Sequence, residues 1–106
     1  PFRTESKLDR ALASIDDMTR ALGQRPAGDN TAFDLRRLEW FDLRNMLLVA
    51  RTVALAGRAR RESRGAHQRE DFPGMLPHWR VNQVARLAAG GIALTPVPAL
   101  TEAAAQ

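Results

Sequence analysis

The sequence contains no cysteine and only one lysine, Lys7. Without cysteine, the chain itself can form no disulfide, no thiolate metal site, no iron–sulfur ligation by thiolate and no cysteine nucleophile. No run of 18 apolar residues occurs, so we expect no direct membrane insertion. The 106 residues suffice for one small domain and leave no room for a second.

The net charge is +4, and arginine supplies almost all of the positive charge. Arginine pairs with carboxylates and phosphates through two parallel hydrogen bonds, which suits fixed protein interfaces as well as anionic ligands. The chain begins with Pro1 and not with methionine, and no charged-then-apolar leader follows. We therefore expect a processing, proteolysis or expression boundary there, and interpret residues 1–106 as a single partial domain.

A first amphipathic helix is predicted over residues 6–23. Ser6 to Asp9 resembles a capping box, and Gly23 ends the pattern, with a turn over residues 24–30. Apolar residues recur at helical spacing between these limits: Leu8, Leu12, Ile15, Met18 and Leu22.

A second, longer helix is predicted over residues 32–63, starting after Thr31 and tolerating Gly57. Its middle is apolar almost all round, from Leu43 to Ala56. Such a helix requires cover on more than one side, and the shorter first helix supplies only one. Either the chain forms a small homodimeric helical adaptor, or the rest of a larger protein packs on this helix.

Arginine recurs every seven residues along the long helix, at Arg37, Arg44, Arg51 and Arg58. This spacing predicts a single stripe that faces solvent or a partner. A nucleic-acid-binding module is the alternative, with phosphates facing Arg51, Arg58, Arg60, Arg61 and Arg64. Interspersed acidic residues and the lack of a recognised reading motif argue against it, so we expect no nucleic-acid partner.

After a polar loop over residues 64–78, two runs flank Ala88-Ala89-Gly90-Gly91 and predict a hairpin or extended segment over residues 79–97. Residues 98–106 are expected to form a frayed tail. The predicted fold class is therefore all-α: an antiparallel helical bundle segment followed by an extended loop or short hairpin.

The most informative stretch reads R-R-E-S-R-G-A-H-Q-R-E-D-F-P, over residues 60–73. It resembles the R-x-E-S-R-G-x-H-x-R-x-D-x-P signature in the C-terminal helical domain of the succinate dehydrogenase, fumarate reductase and L-aspartate oxidase flavoproteins. The upstream segments at residues 43–50 and 2–5 also resemble that family. The resemblance covers roughly residues 2 to 97 and implies two helices of an antiparallel three-helix bundle.

The resemblance further implies an FAD-dependent parent that acts on succinate, fumarate or L-aspartate, with no FAD bound by this segment alone. The expected partners are the flavin-binding portion and, in a respiratory complex, an iron–sulfur subunit. The expected location is cytoplasmic, with membrane association through partner subunits. No catalytic residue is carried over, so we expect the isolated segment not to be catalytic.

The expected domain-docking motif comprises eight residues of this signature: Glu62, Ser63, Arg64, Gly65, His67, Arg69, Asp71 and Pro73. We expect Gly65 to take a left-handed conformation at the helix end, with Arg60, Arg61 and Arg64 complementing the helix dipole. An acid/base role for His67 beside Asp71 is a competing hypothesis. No metal-ligand spacing and no nucleotide-binding glycine motif occurs.

Overall fold

The computed structural model describes residues 2–28 and 32–100. The expected all-α fold is wrong, because the described residues form helices and two small sheets. The elements in chain order are β1 (Phe2–Arg3), α1 (Glu5–Leu22), α2 (Leu35–Ala59), β2 (Gln68–Arg69), a 3₁₀ turn (Pro77–Trp79), β3 (Val81–Ala88) and β4 (Gly91–Pro98).

Strands β3 and β4 form an antiparallel hairpin that is paired along its whole length, from Ala88 opposite Gly91 to Val81 opposite Pro98. Gly91 has a φ of 120°, which a residue with a side chain rarely adopts. Strands β1 and β2 pair in parallel across 66 residues of sequence, with Phe2 opposite Gln68. This second sheet has no local sequence signal, and together with the full-length hairpin it overturns the all-α expectation.

Helix α1 begins after Thr4, whose hydroxyl accepts a hydrogen bond from the Lys7 amide at 3.2 Å. Its cap lies two residues before Ser6, where the capping pattern was expected. The helix ends before Gly23, which has a φ of 78°. The polar hydroxyl cap and the left-handed glycine together fix both ends of α1.

Helix α2 begins after Asp34, whose carboxylate accepts hydrogen bonds from the amides of Arg36 and Arg37. The expected cap at Thr31 lies outside the described residues, as do residues 29 and 30 at the end of the expected turn. The helix ends at Ala59, four residues before the expected end, because Arg60 is extended. Residues 60–63 therefore belong to the loop that carries the signature.

The core lies between α1 and α2. Four buried apolar residues form its centre: Leu12, Ile15, Leu47 and Ala54. At the open end of the pair, the indole N–H of Trp40 donates to the Leu22 carbonyl at 3.1 Å. At the other end, Gly57 lets the segments approach closely, since a Cβ there would lie 3.3 Å from Arg3 Nη1.

Two ion pairs join α1 and α2 at a spacing of one heptad. Arg51 donates to Asp16 at 2.9 Å, and Arg58 donates to Asp9 at 2.9 Å. These two residues of the arginine stripe remain partly exposed to solvent, and they also face α1. They bond to α1 and fix the antiparallel register of the helices.

Within residues 2–28 and 32–100, no helix has the length and apolar character needed to cross a membrane. The final six residues of the expected tail, 101–106, lie outside the described part of the chain.

Candidate functional site

The end of α2 and the loop that follows it contain a carboxylate removed from solvent. Glu62 is 0% exposed and accepts hydrogen bonds from Arg60 at 2.6 Å, from Arg64 at 2.9 and 3.2 Å, and from the Leu76 amide at 2.9 Å. Burial alone would raise the pKa of Glu62, but the hydrogen bonds from Arg64, the Leu76 amide and Arg60 outweigh it and lower the pKa to about 2. Glu62 is thus a fixed anion that ties the two sides of the loop together.

A buried cation closes the end of α2. Arg69, only 1% exposed, donates to the carbonyls of Gly57 and Arg58, each at 3.0 Å. These carbonyls belong to the last turn of the helix, where no further amide is available to them. Arg60, Arg61 and Arg64, which were expected to complement this helix end, bind Glu62 or Glu5, whereas Arg69 reaches the carbonyls of α2 from β2.

The same guanidinium binds Asp71 through two parallel hydrogen bonds of 2.8 Å. Asp71 also accepts a hydrogen bond from the Glu5 amide in the first turn of α1 at 2.9 Å. The bonds from Arg69 lower the pKa of Asp71 well below its usual range, although burial opposes them. One Arg–Asp pair thereby joins the end of α2 to the beginning of α1.

Ser63 organises the backbone of the loop. Its hydroxyl accepts a hydrogen bond from the Arg69 amide at 2.8 Å and lies 2.9 Å from the Phe72 carbonyl, to which it donates. Its own amide donates to the Gly74 carbonyl at 3.0 Å. A small hydroxyl side chain suits this buried position because all of its hydrogen-bond partners are backbone groups.

His67 connects the loop to the N-terminal strand. Its Nδ1 lies 3.1 Å from Arg3 Nη1, and its Nε2 lies 2.9 Å from the Arg60 carbonyl. Arginine can only donate and a carbonyl can only accept, so the neutral tautomer with the proton on Nε2 satisfies both contacts. Since both ring nitrogens are engaged inside the chain, this geometry favours a structural role over the competing acid/base hypothesis.

The remaining signature residues lie at the outer rim of the loop. Arg64 and His67 exchange two backbone hydrogen bonds around a tight turn, in which Gly65 has a φ of 57°. Gly65 is therefore left-handed, as expected, but it lies in this turn and not at the end of α2. Gly65 and Pro73 are exposed, whereas Glu62, Ser63 and Arg69 are buried.

The network includes groups outside the expected motif. Arg3 and Glu5 reach it from the N-terminal segment, and Arg60 donates to the Trp79 and Val81 carbonyls at 2.8 and 2.6 Å. The Arg60 guanidinium also lies 5.0 Å from the centre of the Trp79 ring. Arg60 thus joins the loop to the start of the hairpin, a long-range contact with no signal in the local sequence.

The arginines expected to face phosphates in the nucleic-acid alternative are bonded to carboxylates. Arg51 and Arg58 bind α1 as described above, Arg60 and Arg64 bind Glu62, and Arg61 lies 3.3 Å from Glu5. Phosphate binding by this set would have to break these pairs, so the structure disfavours that alternative.

In the described part of the chain, no group of three or more His, Asp or Glu side chains is placed to hold a metal ion. All buried side-chain nitrogen and oxygen atoms there have hydrogen-bond partners.

A family model described as fumarate reductase flavoprotein C-term matches residues 1–95. The chain therefore belongs to this family of flavoprotein C-terminal domains, as the signature at residues 60–73 predicts.

Particular relatives come from archaea and bacteria. The chain is 41% identical over 81 residues to an uncharacterised FAD-dependent oxidoreductase of Methanocaldococcus jannaschii, covering 76% of this chain and 14% of that protein. It is 36% identical over 78 residues to one subunit of the fumarate reductase (CoM/CoB) of Methanothermobacter marburgensis, covering 74% of this chain and 14% of that one. The chain thus spans 14% of the length of these two curated relatives.

A solved structure has the same fold. Mycobacterium smegmatis Sdh1 in complex with UQ1 superposes with a TM-score of 0.80 at 28% sequence identity. The match covers 94% of this chain and 18% of the Sdh1 chain. The helices and the hairpin therefore occur together in a much longer chain.

Proposed function

We propose that the chain is the C-terminal helical segment of an FAD-dependent oxidoreductase of the succinate dehydrogenase or fumarate reductase type. The segment is a partial domain that braces the flavin-binding portion of its parent, which holds the FAD. Family membership over residues 1–95 and the name of the Methanocaldococcus jannaschii relative support this proposal.

An uncovered apolar face of α2 is the observation that carries the proposal. The α2 stripe consists of Leu38, Met46, Val49 and Val53, whose exposed fractions range from 55% to 66%. These positions share one face by helical spacing, and α1 packs on another face. Apolar surface of this extent is typical of an interface, and the rest of a longer flavoprotein is the natural cover.

The loop that carries the signature, residues 60–73, has a fixed conformation at one end of the helix pair. Glu62, Ser63, Arg69 and Asp71 hold the loop in shape through the hydrogen bonds described above. We propose that the outer rim of the loop, at Arg64, Gly65 and Pro73, contacts the flavin-binding portion. Because these charged side chains are already paired within the loop, they lose little conformational entropy when the loop binds another surface. This low entropic cost favours a permanent contact.

The names of the relatives support proposals about electron transfer, partner subunits and location. One of them, from Wolinella succinogenes, is named 8-methylmenaquinol:fumarate reductase flavoprotein subunit. By analogy, we propose that the parent is a cytoplasmic flavoprotein that transfers electrons through a partner subunit, an iron–sulfur subunit in a respiratory complex. Membrane association would then come from partner subunits.

The test places a charge on the α2 stripe of the intact flavoprotein. Met46→Glu is expected to lower the ratio of bound FAD to protein at least several-fold, because a carboxylate in the covered interface lacks a partner. Met18→Glu, at a methionine of α1 that is 49% exposed, is the matched control and should leave the ratio unchanged. Equal FAD content in both variants would contradict the bracing role.

A homodimeric helical adaptor would use the same α2 stripe. Light scattering on the purified 106-residue chain separates the two proposals when it is combined with the flavin measurement. A discrete dimer together with a flavoprotein that is insensitive to Met46→Glu would favour the adaptor.

A further inference from the structure

A groove of about 620 Å³ lies where the end of α1, the middle of α2 and the tip of the hairpin meet. It is separate from the α2 stripe, since the two share no residue. Apolar side chains from all three elements form most of its wall: Leu22, Pro26, Trp40, Phe41, Leu47, Leu48 and Leu87. Its volume falls within the range of roughly 300 to 1,000 Å³ that is typical of binding sites.

Two arginines, Arg44 and Arg51, also line the groove, and they differ in their pairing. Arg51 binds Asp16. Arg44 is exposed and forms no ion pair with any carboxylate in residues 2–28 and 32–100. Among the described residues, the groove therefore has one positive charge without an ion-pair partner beside an apolar wall.

The register of the helices explains why Arg44 has no partner on α1. The Arg58–Asp9 pair is followed by the Arg51–Asp16 pair, which lies seven residues earlier in α2 and seven residues later in α1. The next step would place Arg44 opposite Gly23, which follows the last residue of α1 and has no side chain. The ion-pair series thus stops one heptad short, at the position where the groove opens.

We propose that this groove binds a segment of a second polypeptide in the flavoprotein assembly, and that the segment carries one carboxylate among apolar side chains. The carboxylate would pair with Arg44, and the apolar side chains would cover Phe41, Leu48 and Leu87. This inference rests on the proposed function, in which the rest of the flavoprotein covers the separate α2 stripe.

The openness of the groove to solvent favours a protein segment over an acyl chain as its ligand. Leu87 and Leu48, which form part of the wall, are 75% and 44% exposed. An acyl chain lying against them would keep one side in water, whereas a protein surface covers the groove with its own body. Arginine also pairs with a planar carboxylate through two hydrogen bonds, which gives the contact its orientation.

The test compares arginine modification by phenylglyoxal in the purified flavoprotein and in its assembly, with mass spectrometry of each site. Arg44 is expected to react at least fivefold more slowly in the assembly. Arg10, an exposed residue of α1, is the control and should react equally in both. Equal reaction of Arg44 in both samples would overturn the proposal. Protection of Arg44 in the flavoprotein alone would overturn the assignment to a second polypeptide.

Variants give the second readout. Arg44→Glu should weaken association of the subunits at least tenfold, and Arg44→Lys should weaken it less, because the positive charge remains although the two parallel hydrogen bonds are lost. FAD content should be unchanged in Arg44→Glu, which separates this result from a failure of the bracing role. Unaltered association in Arg44→Glu would overturn the proposal.

Discussion

Replacing Glu62 by glutamine tests whether the buried anion holds the end of α2 to its loop. The variant keeps the shape of the side chain but removes the charge shared by Arg60 and Arg64. The amide nitrogen that replaces one carboxylate oxygen is a donor, and it would face an arginine N–H or the Leu76 amide. Both arginines would then lack an anionic partner.

The magnitude follows from the pKa of Glu62. A pKa of about 2 in place of 4.5 corresponds to about 3 kcal/mol in favour of the folded, ionised form at neutral pH. Solvent reaches the Arg64 side chain, which is 35% exposed, and screening reduces this figure to about 2 kcal/mol. For a domain of this size, Glu62→Gln should lower the melting temperature by about 10 °C.

The sign of the pH dependence follows from the lowered pKa. The contribution of Glu62 is fully present above pH 4.5 and is lost as the pH falls towards about 2. The difference in melting temperature between wild type and Glu62→Gln should therefore be largest near neutral pH and shrink below pH 4.5. Circular dichroism melts between pH 3 and 7 measure it.

The matched control is Glu70→Gln. Glu70 lies 4.0 Å from Lys7, with both side chains 52% exposed, so its replacement should cost less than about 0.5 kcal/mol. A Glu62→Gln variant that melts like wild type at pH 7 would contradict this role of Glu62. A difference in melting temperature that stays the same between pH 7 and pH 3 would also contradict it.

Two further predictions concern neighbouring positions. Arg69→Lys should destabilise the chain by about 3 kcal/mol in urea unfolding, because a lysine cannot bind Asp71 and the end of α2 together; a loss below about 1 kcal/mol would contradict this. Gly65→Ala should cost about 1 kcal/mol, since φ is 57° there while space for a methyl group is open, and an unchanged urea midpoint would show that the turn relaxes without cost.

The existence of both helices could be predicted from the sequence because their signals are local. The apolar residues at helical spacing lie within each helix, and Gly23 directly follows the last residue of α1. The end of α2 could not be predicted in this way. It is set by Arg69, which comes from ten residues beyond Ala59 and occupies the last carbonyls of the helix.

The sheets and the pairing of the motif depend on long-range contacts. The pairing of Phe2 with Gln68 has no local pattern, and neither has the bond between the Glu5 amide and Asp71. The signature showed which residues belong together, but not that Glu62 and Arg69 are buried in the chain itself. Likewise, the heptad of arginines predicted one stripe, but only the structure shows that α1 binds Arg51 and Arg58.

The most direct test of the bracing role is the oxidation rate of Met46 in the intact flavoprotein, measured by mass spectrometry after brief treatment with hydrogen peroxide. Met46 is 66% exposed in this chain and Met18 is 49% exposed, so both would oxidise readily without further cover. If the segment braces the flavin-binding portion, the rest of the flavoprotein protects Met46 and leaves Met18 reactive. Oxidation of Met46 as fast as Met18 would contradict it.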